Sequence, residues 1–301
     1  MDNIPLVSVI CLCYNHEKFV VDALNSIKKQ TYTNIELIIV DDFSNDNSVN
    51  EIKKWLLDFP NTIFIANQKN TGNVKSFNSV FNLSNGEYII DFAADDMLNP
   101  KAIELQINKF QTSLYTNLGI VYGNVELVFE DDKHFRYFFD VDKNKKRINP
   151  QPTGDIYLGL LNLQNDVCSV SSMVKREVYE KLNGYNESLY YEDYDFWIKA
   201  SRIYNFDFID EILTTKRELK NSLSAQRFKR FNKKTRLFNL STYKIVINAL
   251  KLNKNRLENK AILKRIHYEL EIAIRTLDPF LFCKYVILEI KIRSILFFNF
   301  K

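Results

Sequence analysis

The chain has 301 residues, of which 46% are hydrophobic, and a formal net charge of +4. This length is sufficient for one large domain or two of ordinary size, and the apolar content excludes an intrinsically disordered protein. No run of about 18 uncharged apolar residues predicts a membrane-spanning helix.

The charges are unevenly distributed along the chain. Residues 1–215 contain 20 basic and 31 acidic side chains, a net charge of −11, whereas residues 216–301 contain 21 basic and 6 acidic side chains, a net charge of +15. This division predicts two kinds of binding partner. The four cysteines have neither disulfide nor zinc-site spacing, and the first residues do not resemble a secretory signal, so we expect a cytoplasmic location.

The first 115 residues alternate between strand-like and helix-like patterns. Strands are predicted at 6–14, 35–40, 62–66 and 88–94, and helices at 19–30, 46–58, 74–83 and 100–114. Strands separated by helices of this length indicate βαβ units, and therefore an α/β fold with a mostly parallel central sheet and helices on both faces.

The pattern changes after residue 115. An antiparallel strand pair is predicted at 120–129 and 135–139, a further strand at 167–174, and short helices at 176–182 and 192–203. From about residue 224 the chain is basic and helical in pattern. We therefore predict an α/β domain over residues 1–220 and a basic helical C-terminal extension over residues 221–301.

Polar side chains follow three of the four predicted parallel strands. They are Tyr14–Asn15 after the first, Asp41–Asp42 after the second and Asp95–Asp96 after the fourth. In open α/β sheets, ligands bind at the carboxyl ends of the strands. Paired carboxylates there suit Mg²⁺ or Mn²⁺, which bridges phosphate oxygens, so a nucleotide diphosphate is expected. Neither G-x-G-x-x-G after the first strand nor G-K-[ST] is present, which excludes dinucleotide and P-loop sites.

Several motifs together resemble family-2 glycosyltransferases with the GT-A fold. They are the opening strand P-L-V-S-V-I-C-L-C-Y-N, then V-D-D-F-S-N-D at 40–46, N-T-G at 70–72 with Asn78, G-E-Y-I at 86–89, A-A-D-D at 93–96, and G-Y-N-E with E-D-Y-D-F-W between 184 and 197. The motifs occur in the family's order, and the resemblance covers roughly residues 4–217.

The resemblance implies inverting transfer of a sugar from a nucleotide-diphosphate donor, with a UDP-sugar expected, to a hydroxyl of a saccharide or lipid-linked saccharide. Mn²⁺ or Mg²⁺ is the implied cofactor, and synthesis of a cell-surface polysaccharide such as capsule or O-antigen is the implied role. The implied catalytic residues are Asp193, as general base, and Glu192; the implied metal ligands are Asp95 and Asp96. The implied nucleotide-binding residues are Tyr14, Asn15, Asp41, Asp42, Asn70, Gly72, Lys75, Asn78, Asp95 and Arg217.

Two departures from the family pattern leave an alternative open. Ala93 stands where the metal motif often begins with Asp, and no His follows in 214–219. The alternative is a catalytically impaired, GT-A-like binding or scaffolding subunit of a polysaccharide-synthesis complex. A nucleotidyltransferase is disfavoured because the loop after the first strand is not rich in glycine and lysine.

The segment 285–298 is apolar around most of its circumference and basic on the remainder. It is too short and too charged to span a bilayer. One interpretation is an interfacial helix on an anionic membrane surface, which would make the protein peripheral to the inner face of the cell membrane. The other interpretation is a helical bundle with a basic solvated face. Nucleic acid is disfavoured as a partner, because an acidic strand-end site has no use for a phosphate backbone.

Overall fold

The computed structural model describes residues 4–164, 166–219 and 227–298. The strands are β1 (Val7–Cys13), β2 (Ile35–Asp41), β3 (Ile63–Ala66), β4 (Tyr88–Ala93), β5 (Met97–Leu98), β6 (Leu118–Val128), β7 (His134–Tyr137), β8 (Met173–Lys175) and β9 (Asn205–Arg217). The helices are α1 (Val20–Lys28), α2 (Ser48–Trp55), α3 (Asn73–Phe81), α4 (Ala102–Thr112), α5 (Tyr157–Leu161), α6 (Arg176–Leu182), α7 (Asp193–Ala200), α8 (Lys233–Leu252), α9 (Arg256–Arg275) and α10 (Pro279–Phe298).

The strands form one sheet in the order β3-β2-β1-β4-β8-β6-β9-β5, with β7 paired to β6. The first four of these strands are parallel, as are β6 and β9, whereas β8 runs antiparallel to both of its neighbours. The predicted α/β class with a mostly parallel sheet is confirmed. Because β1, β2 and β4 are parallel and adjacent, their carboxyl ends meet at one edge.

The sheet forms because its central strands are apolar on both faces. Along β1, the side chains of Val7, Val9 and Cys11 join a core cluster, and those of the alternate positions are also buried. A strand that is covered on both faces has a nearly continuous apolar sequence, and this pattern is why β1 could be predicted from the sequence. Against it packs α1, whose buried residues Val20, Ala23, Leu24 and Ile27 recur at helical spacing.

Two expectations about strands differ from the structure. The predicted strand at 167–174 is wrong for most of its length, because Ser169–Ser171 forms one turn of 3-10 helix and the strand itself covers only Met173–Lys175. The 13-residue strand β9 was not predicted. Acidic side chains interrupt its apolar pattern, and its long parallel pairing with β6 compensates for that weak local signal.

The chain divides into two compact units that alternate along the sequence. The first comprises Met1–Gly154, Val167–Tyr185 and Tyr204–Glu218, and the second comprises Asp155–Asp166, Asn186–Ile203 and Leu219–Lys301. The first unit contains the sheet, and the second contains the predicted C-terminal helices α8, α9 and α10 together with α5 and α7. The predicted domain boundary at 220–221 lies outside the described residues and stays a prediction.

Candidate active site

The loops that follow β1 and β2 are joined by hydrogen bonds. Asn15 has a left-handed backbone (φ 58°); its N–H donates to Ser44 Oγ at 2.9 Å, and its Oδ1 accepts from the Asn45 N–H at 2.8 Å. The His16 N–H donates to Ser48 Oγ at 2.9 Å. Asn15 therefore holds the two loops together, and the preceding Tyr14 leaves 43% of its surface exposed at this edge.

Asp41, at the end of β2, is buried and shapes the turn that follows it. Its Oδ1 accepts from the Ser44 N–H at 2.9 Å, and its Oδ2 accepts from the Ser44 hydroxyl. Phe43, inside this turn, has φ 66° and is 48% exposed. A bulky residue in the left-handed region is strained. Phe43 was not among the predicted site residues, although it lies within the V-D-D-F-S-N-D motif.

Asp42 anchors the loop that precedes α3. Its carboxylate accepts from the Asn67 amide (2.9 Å), from the N–H (2.8 Å) and hydroxyl (3.0 Å) of Thr71, and from the Gly72 N–H (2.7 Å). Burial alone would raise the pKa of Asp42, but these hydrogen bonds outweigh burial and hold the pKa below its usual value. Asp42 therefore shapes the loop, and its contact with a nucleotide stays a prediction.

The loop itself contains two further predicted residues. Asn70 donates from Nδ2 to the Asp42 carbonyl oxygen at 3.2 Å, and Gly72 precedes α3 with φ 86°, a backbone conformation that favours glycine. On α3, Lys75 is exposed. Asn78 pairs with the backbone of Tyr185, donating to its carbonyl oxygen and accepting from its N–H, each at 2.9 Å. Asn78 thus fixes the segment after α6 to α3.

The pair after β4 consists of one accessible and one buried carboxylate. Asp95 keeps 16% of its side chain exposed, and its Oδ1 lies 3.8 Å from His16 Nδ1, a buried atom without a hydrogen-bond partner among the described residues. Asp96 is almost fully buried, and its Oδ1 accepts from the Arg217 N–H at 3.2 Å. Burial, and then the neighbouring Asp95 charge, raise the pKa of Asp96 well above its usual range despite nearby Lys216.

Arg217, at the end of β9, is enclosed by the protein and is only 2% exposed. Its guanidinium donates to Asp132 Oδ1 at 2.7 Å, to the Asp95 carbonyl oxygen at 3.1 Å and to Asp22 Oδ2 at 3.4 Å, and it lies over the Phe19 ring at 4.9 Å. Direct contact of Arg217 with a diphosphate would require these contacts to open, and that predicted role stays a prediction.

The residues after β4 fit a cation that a bound diphosphate helps to hold. Within 4–164, 166–219 and 227–298, no three His, Cys, Asp or Glu side chains gather into a metal site. Mg²⁺ and similar ions are commonly bound through one or two carboxylates together with substrate phosphates and water. Asp95 offers such a carboxylate, and the unpartnered His16 Nδ1 faces it at 3.8 Å.

The predicted catalytic residues Glu192 and Asp193 lie in the second unit, at the N-terminus of α7. Asp193 is partly exposed, and its Oδ1 accepts from the Tyr194 N–H at 2.6 Å. Both acids stand where the positive end of the helix dipole stabilises negative charge. Next on this helix, buried Asp195 pairs with Lys199 at 2.5 Å.

Helix α8 holds the chain that leads into α7. The Tyr190 N–H donates to Ser241 Oγ at 2.8 Å, and the hydroxyls of Tyr191 and Thr242 are hydrogen-bonded at 2.8 Å. The rings of Tyr191 and Phe238 stack with their centroids 4.2 Å apart. The segment that carries Glu192 and Asp193 is therefore built on the C-terminal helices.

Helix α9 contributes a buried charge cluster to the same unit. The Arg265 guanidinium lies 4.3 Å from the centre of the Tyr194 ring. Glu269, which is fully buried, forms an ion pair with Arg265 at 2.9 Å and accepts a hydrogen bond from Arg227 at 3.0 Å. These helices were predicted only as a basic extension, and their support of the α7 segment was not predicted.

The predicted residues are thus divided between the units. The first unit contains all the predicted nucleotide-binding and metal-binding residues. Hydrogen bonds join the loop after β1 to the loop after β2, and the latter to residues 70–72, while Arg217 contacts Asp95. Lys75 and Asn78 lie on α3. Glu192 and Asp193 belong to the second unit.

Comparison with known proteins identifies the family. Residues 8–182 match the model of glycosyl transferase family 2. An uncharacterised glycosyltransferase of Methanocaldococcus jannaschii is 31% identical over 224 residues, 69% of this chain and 69% of that protein. Chondroitin synthase of Escherichia coli is 28% identical over 213 residues, 70% of this chain and 29% of the synthase. The chain spans only 34% of a related glycosyltransferase of Rickettsia felis.

Two solved structures share the fold. The mannosyltransferase PcManGT from Pyrobaculum calidifontis, in complex with GDP-Man and Mn²⁺, has a TM-score of 0.61 at 16% identity, covering 95% of this chain and 74% of that chain. Residues 1–349 of S. aureus TarS, in complex with UDP-GlcNAc, have a TM-score of 0.62 at 16% identity, covering 85% and 70%. With the family match over more than half of its length, the chain belongs to glycosyl transferase family 2 and is a glycosyltransferase with a GT-A fold.

Proposed function

We propose that the protein is an inverting glycosyltransferase that moves a sugar from a nucleotide-diphosphate donor, expected to be a UDP-sugar, to a hydroxyl of a saccharide or lipid-linked saccharide. The observation that carries this proposal is one edge of the sheet, where Asp41 and Asp42 stand at the end of β2 and Asp95 and Asp96 follow β4, the two strands that flank β1 in parallel. The fold relatives were solved with GDP-Man and with UDP-GlcNAc, which supports the donor class.

The nucleoside would bind at the loops after β1 and β2. The exposed rings of Tyr14 and Phe43 offer flat surfaces to the base, and Asn15 ties their two loops together. Each Asp41 oxygen uses one lone pair on Ser44, which leaves one for an imide N–H such as that of uracil. A carboxylate suits that N–H better than the acceptor-rich edge of adenine.

The diphosphate would bind beside Asp95. A divalent cation, Mn²⁺ or Mg²⁺, held by Asp95 and the phosphates would neutralise charge on the leaving diphosphate. Lys75 is exposed on α3 and would supply a further positive charge. Arg217 donates to the Asp95 carbonyl oxygen, so we propose that it positions Asp95. Ligation of the cation by the buried Asp96 stays a prediction.

The acceptor hydroxyl would lose its proton to Asp193. A general base must be ionised when the acceptor binds, and the N-terminus of α7 favours that state. Glu192, the preceding residue, supplies a second carboxylate that could accept the proton. In a single displacement, the acceptor oxygen forms its bond to the anomeric carbon as the bond to the diphosphate breaks, and Asp193 holds the released proton.

The variant Asp193→Asn tests this assignment. We expect donor binding to be unchanged and transfer to fall by about 10²–10⁴-fold, because Asn cannot accept the proton. Glu187→Gln, an exposed acid close in sequence, is the control and should retain transfer. Donor binding is measured by thermal shift with UDP-, GDP- and dTDP-sugars plus Mn²⁺, and transfer by release of the nucleotide diphosphate. Wild-type transfer by Asp193→Asn would refute Asp193 as the base.

A second candidate function follows from Ala93. With no acid at that position, Asp95 is the one partly exposed carboxylate of the 93–96 motif. A binding or scaffolding subunit would then bind a donor without turning it over. Stabilisation by a nucleotide sugar without transfer or hydrolysis, in the presence of Mn²⁺, would favour this candidate.

We also propose a role in cell-surface polysaccharide synthesis, such as capsule or O-antigen, at the inner face of the membrane. The relationship to chondroitin synthase supports a polysaccharide product. No described helix is long and apolar enough to cross a membrane. Attachment would therefore rest on the basic C-terminal residues, whose net charge over 216–301 is +15.

A further inference from the structure

A groove of about 470 Å³ opens in the second unit, between the start of α8 and the turn from α9 to α10. Its basic lining residues are Lys229, Lys233 and Arg236, and its apolar lining residues are Phe231, Leu277 and Phe280. At least half of the surface of Phe231 and Phe280 is exposed, with Phe231 at 85%. Large rings and cations thus stand together on an open surface.

The groove keeps a net positive charge even after the ion pair within its lining is taken into account. Asp278 is the acid that lines it, and it faces Arg236 at 3.5 Å while its Oδ1 accepts from the Leu281 N–H. Lys229 and Lys233 remain exposed beside this pair. At the base, Asn239 is buried and its Oδ1 has no hydrogen-bond partner among the described residues, so the floor is polar.

The apolar surface continues from Phe280 along α10. The inner face of this helix is buried through Leu281, Tyr285 and Leu288, whereas Ile287 and Ile290 on the outer side are mostly exposed. Exposed apolar side chains that cluster on one surface mark sites of interaction with another protein or a membrane. Cations beside them are typical of helices that lie in a membrane interface.

We propose that this groove and the adjoining outer face of α10 bind the phosphate-bearing surface of an anionic lipid bilayer. Lys229 and Lys233 would pair with lipid phosphates, and Phe231 and Phe280 would insert among the acyl chains. The proposal rests on the proposed function, because a lipid-linked acceptor places the enzyme at a membrane. It locates the contact at 229–236 and 277–290, whereas the sequence pattern indicated 285–298.

The test is co-sedimentation of the full chain with vesicles of phosphatidylglycerol and phosphatidylcholine, compared with vesicles of phosphatidylcholine alone. We expect binding to the anionic vesicles only, and weaker binding as NaCl is added. Lys229→Glu/Lys233→Glu should weaken binding at least about 25-fold, since each basic residue near an anionic surface contributes about fivefold. The control Lys53→Glu/Lys143→Glu, with the same charge change on exposed lysines of the first unit, should bind at least about tenfold more tightly than that variant.

The apolar contribution is tested by Phe231→Ser, which should weaken vesicle binding by about tenfold or more. Its control is Leu114→Ser, which removes a more exposed apolar side chain from the first unit. Inorganic phosphate should release the protein no better than chloride at equal ionic strength; specific release by phosphate would assign the groove to a soluble anion and overturn the proposal. Equal vesicle binding by Lys229→Glu/Lys233→Glu and its control would also overturn it.

Donor stabilisation by nucleotide sugars is measured on the same variants, in the absence of vesicles. It should match the wild type, because none of these residues belongs to the proposed donor site. A variant that loses vesicle binding but keeps donor binding therefore supports the groove as the membrane contact and leaves the proposed function untouched. Absence of donor binding in the wild type would contradict the proposed function and would not contradict membrane binding by the groove.

Discussion

Replacing Glu269 by Gln tests whether the buried charge cluster of the C-terminal helices holds the second unit together. Glu269 is 0% exposed and is the acid that faces both Arg265, at 2.9 Å, and Arg227, at 3.0 Å. Gln preserves the shape of the side chain but removes its charge, so two largely buried guanidinium groups lose their counterion.

The expected loss of unfolding free energy is about 3–5 kcal/mol, the cost of leaving a buried charge without its partner. The lower end, about 3 kcal/mol, is expected here, since Arg227 keeps 20% of its side chain exposed and also contacts the Phe238 and Tyr268 rings. The matched control is Glu271→Gln on the same helix. Glu271 is exposed and pairs with Arg275 at 3.7 Å, so its loss should cost less than about 1 kcal/mol.

The assay is urea unfolding followed by tryptophan fluorescence. The chain has two tryptophans, Trp55 in the first unit and Trp197 in the second, so a Trp55→Phe background reports on the second unit through Trp197. A loss below about 1 kcal/mol for Glu269→Gln would refute the reasoning, because the arginines would then be solvated or compensated elsewhere. Transfer activity should fall with stability, since Arg265 packs on Tyr194 beside Asp193.

Three further changes probe the first unit. Gly86→Ala should cost about 1–3 kcal/mol in thermal unfolding, because a Cβ there would lie 2.4 Å from Ser8 N; unfolding at the wild-type temperature would contradict this reasoning. The pKa of Asp42 is lowered in the folded state, so its stabilisation is complete above the unfolded pKa of about 3.9 and is lost as pH falls through the folded pKa. Asp42→Asn should therefore be less stable at neutral pH and lose less stability on acidification, and unfolding curves that fall in parallel would contradict this. Phe43→Gly should relieve the strain at φ 66° without loss of stability but weaken donor binding in thermal-shift titrations; unchanged donor binding would remove Phe43 from the nucleotide site.

The sequence determined the elements whose signal is local. The strands β1, β2 and β4 begin and end within one or two residues of their predicted bounds, because a parallel strand covered on both faces is a short apolar run that ends at polar residues. The rule that ligands bind at carboxyl ends then placed Tyr14, Asp41 and Asp95 at one edge without knowledge of any contact.

The tertiary structure decided what each of those side chains does. Asp41 and Asp42 are adjacent in the sequence and chemically identical, yet one shapes its own turn and the other anchors a loop 29 residues away. Arg217 is enclosed by groups from three other segments, and β9 exists because β6 pairs with it. The hydrogen bonds by which α8 supports the α7 segment also join residues 51 positions apart.

These features escape a sequence pattern for one physical reason. Helix and strand periodicity reflects neighbours within a few residues, and local apolar spacing records it directly. Burial of a charge, the partner of a carboxylate and the pairing of an interrupted strand depend on groups that only folding brings within hydrogen-bond distance. The sequence alone shows that acidic residues predominate before residue 216 and basic residues after it. Only the tertiary structure shows that Arg265 and Arg227 pair with the buried Glu269, whereas Lys229 and Lys233 are exposed.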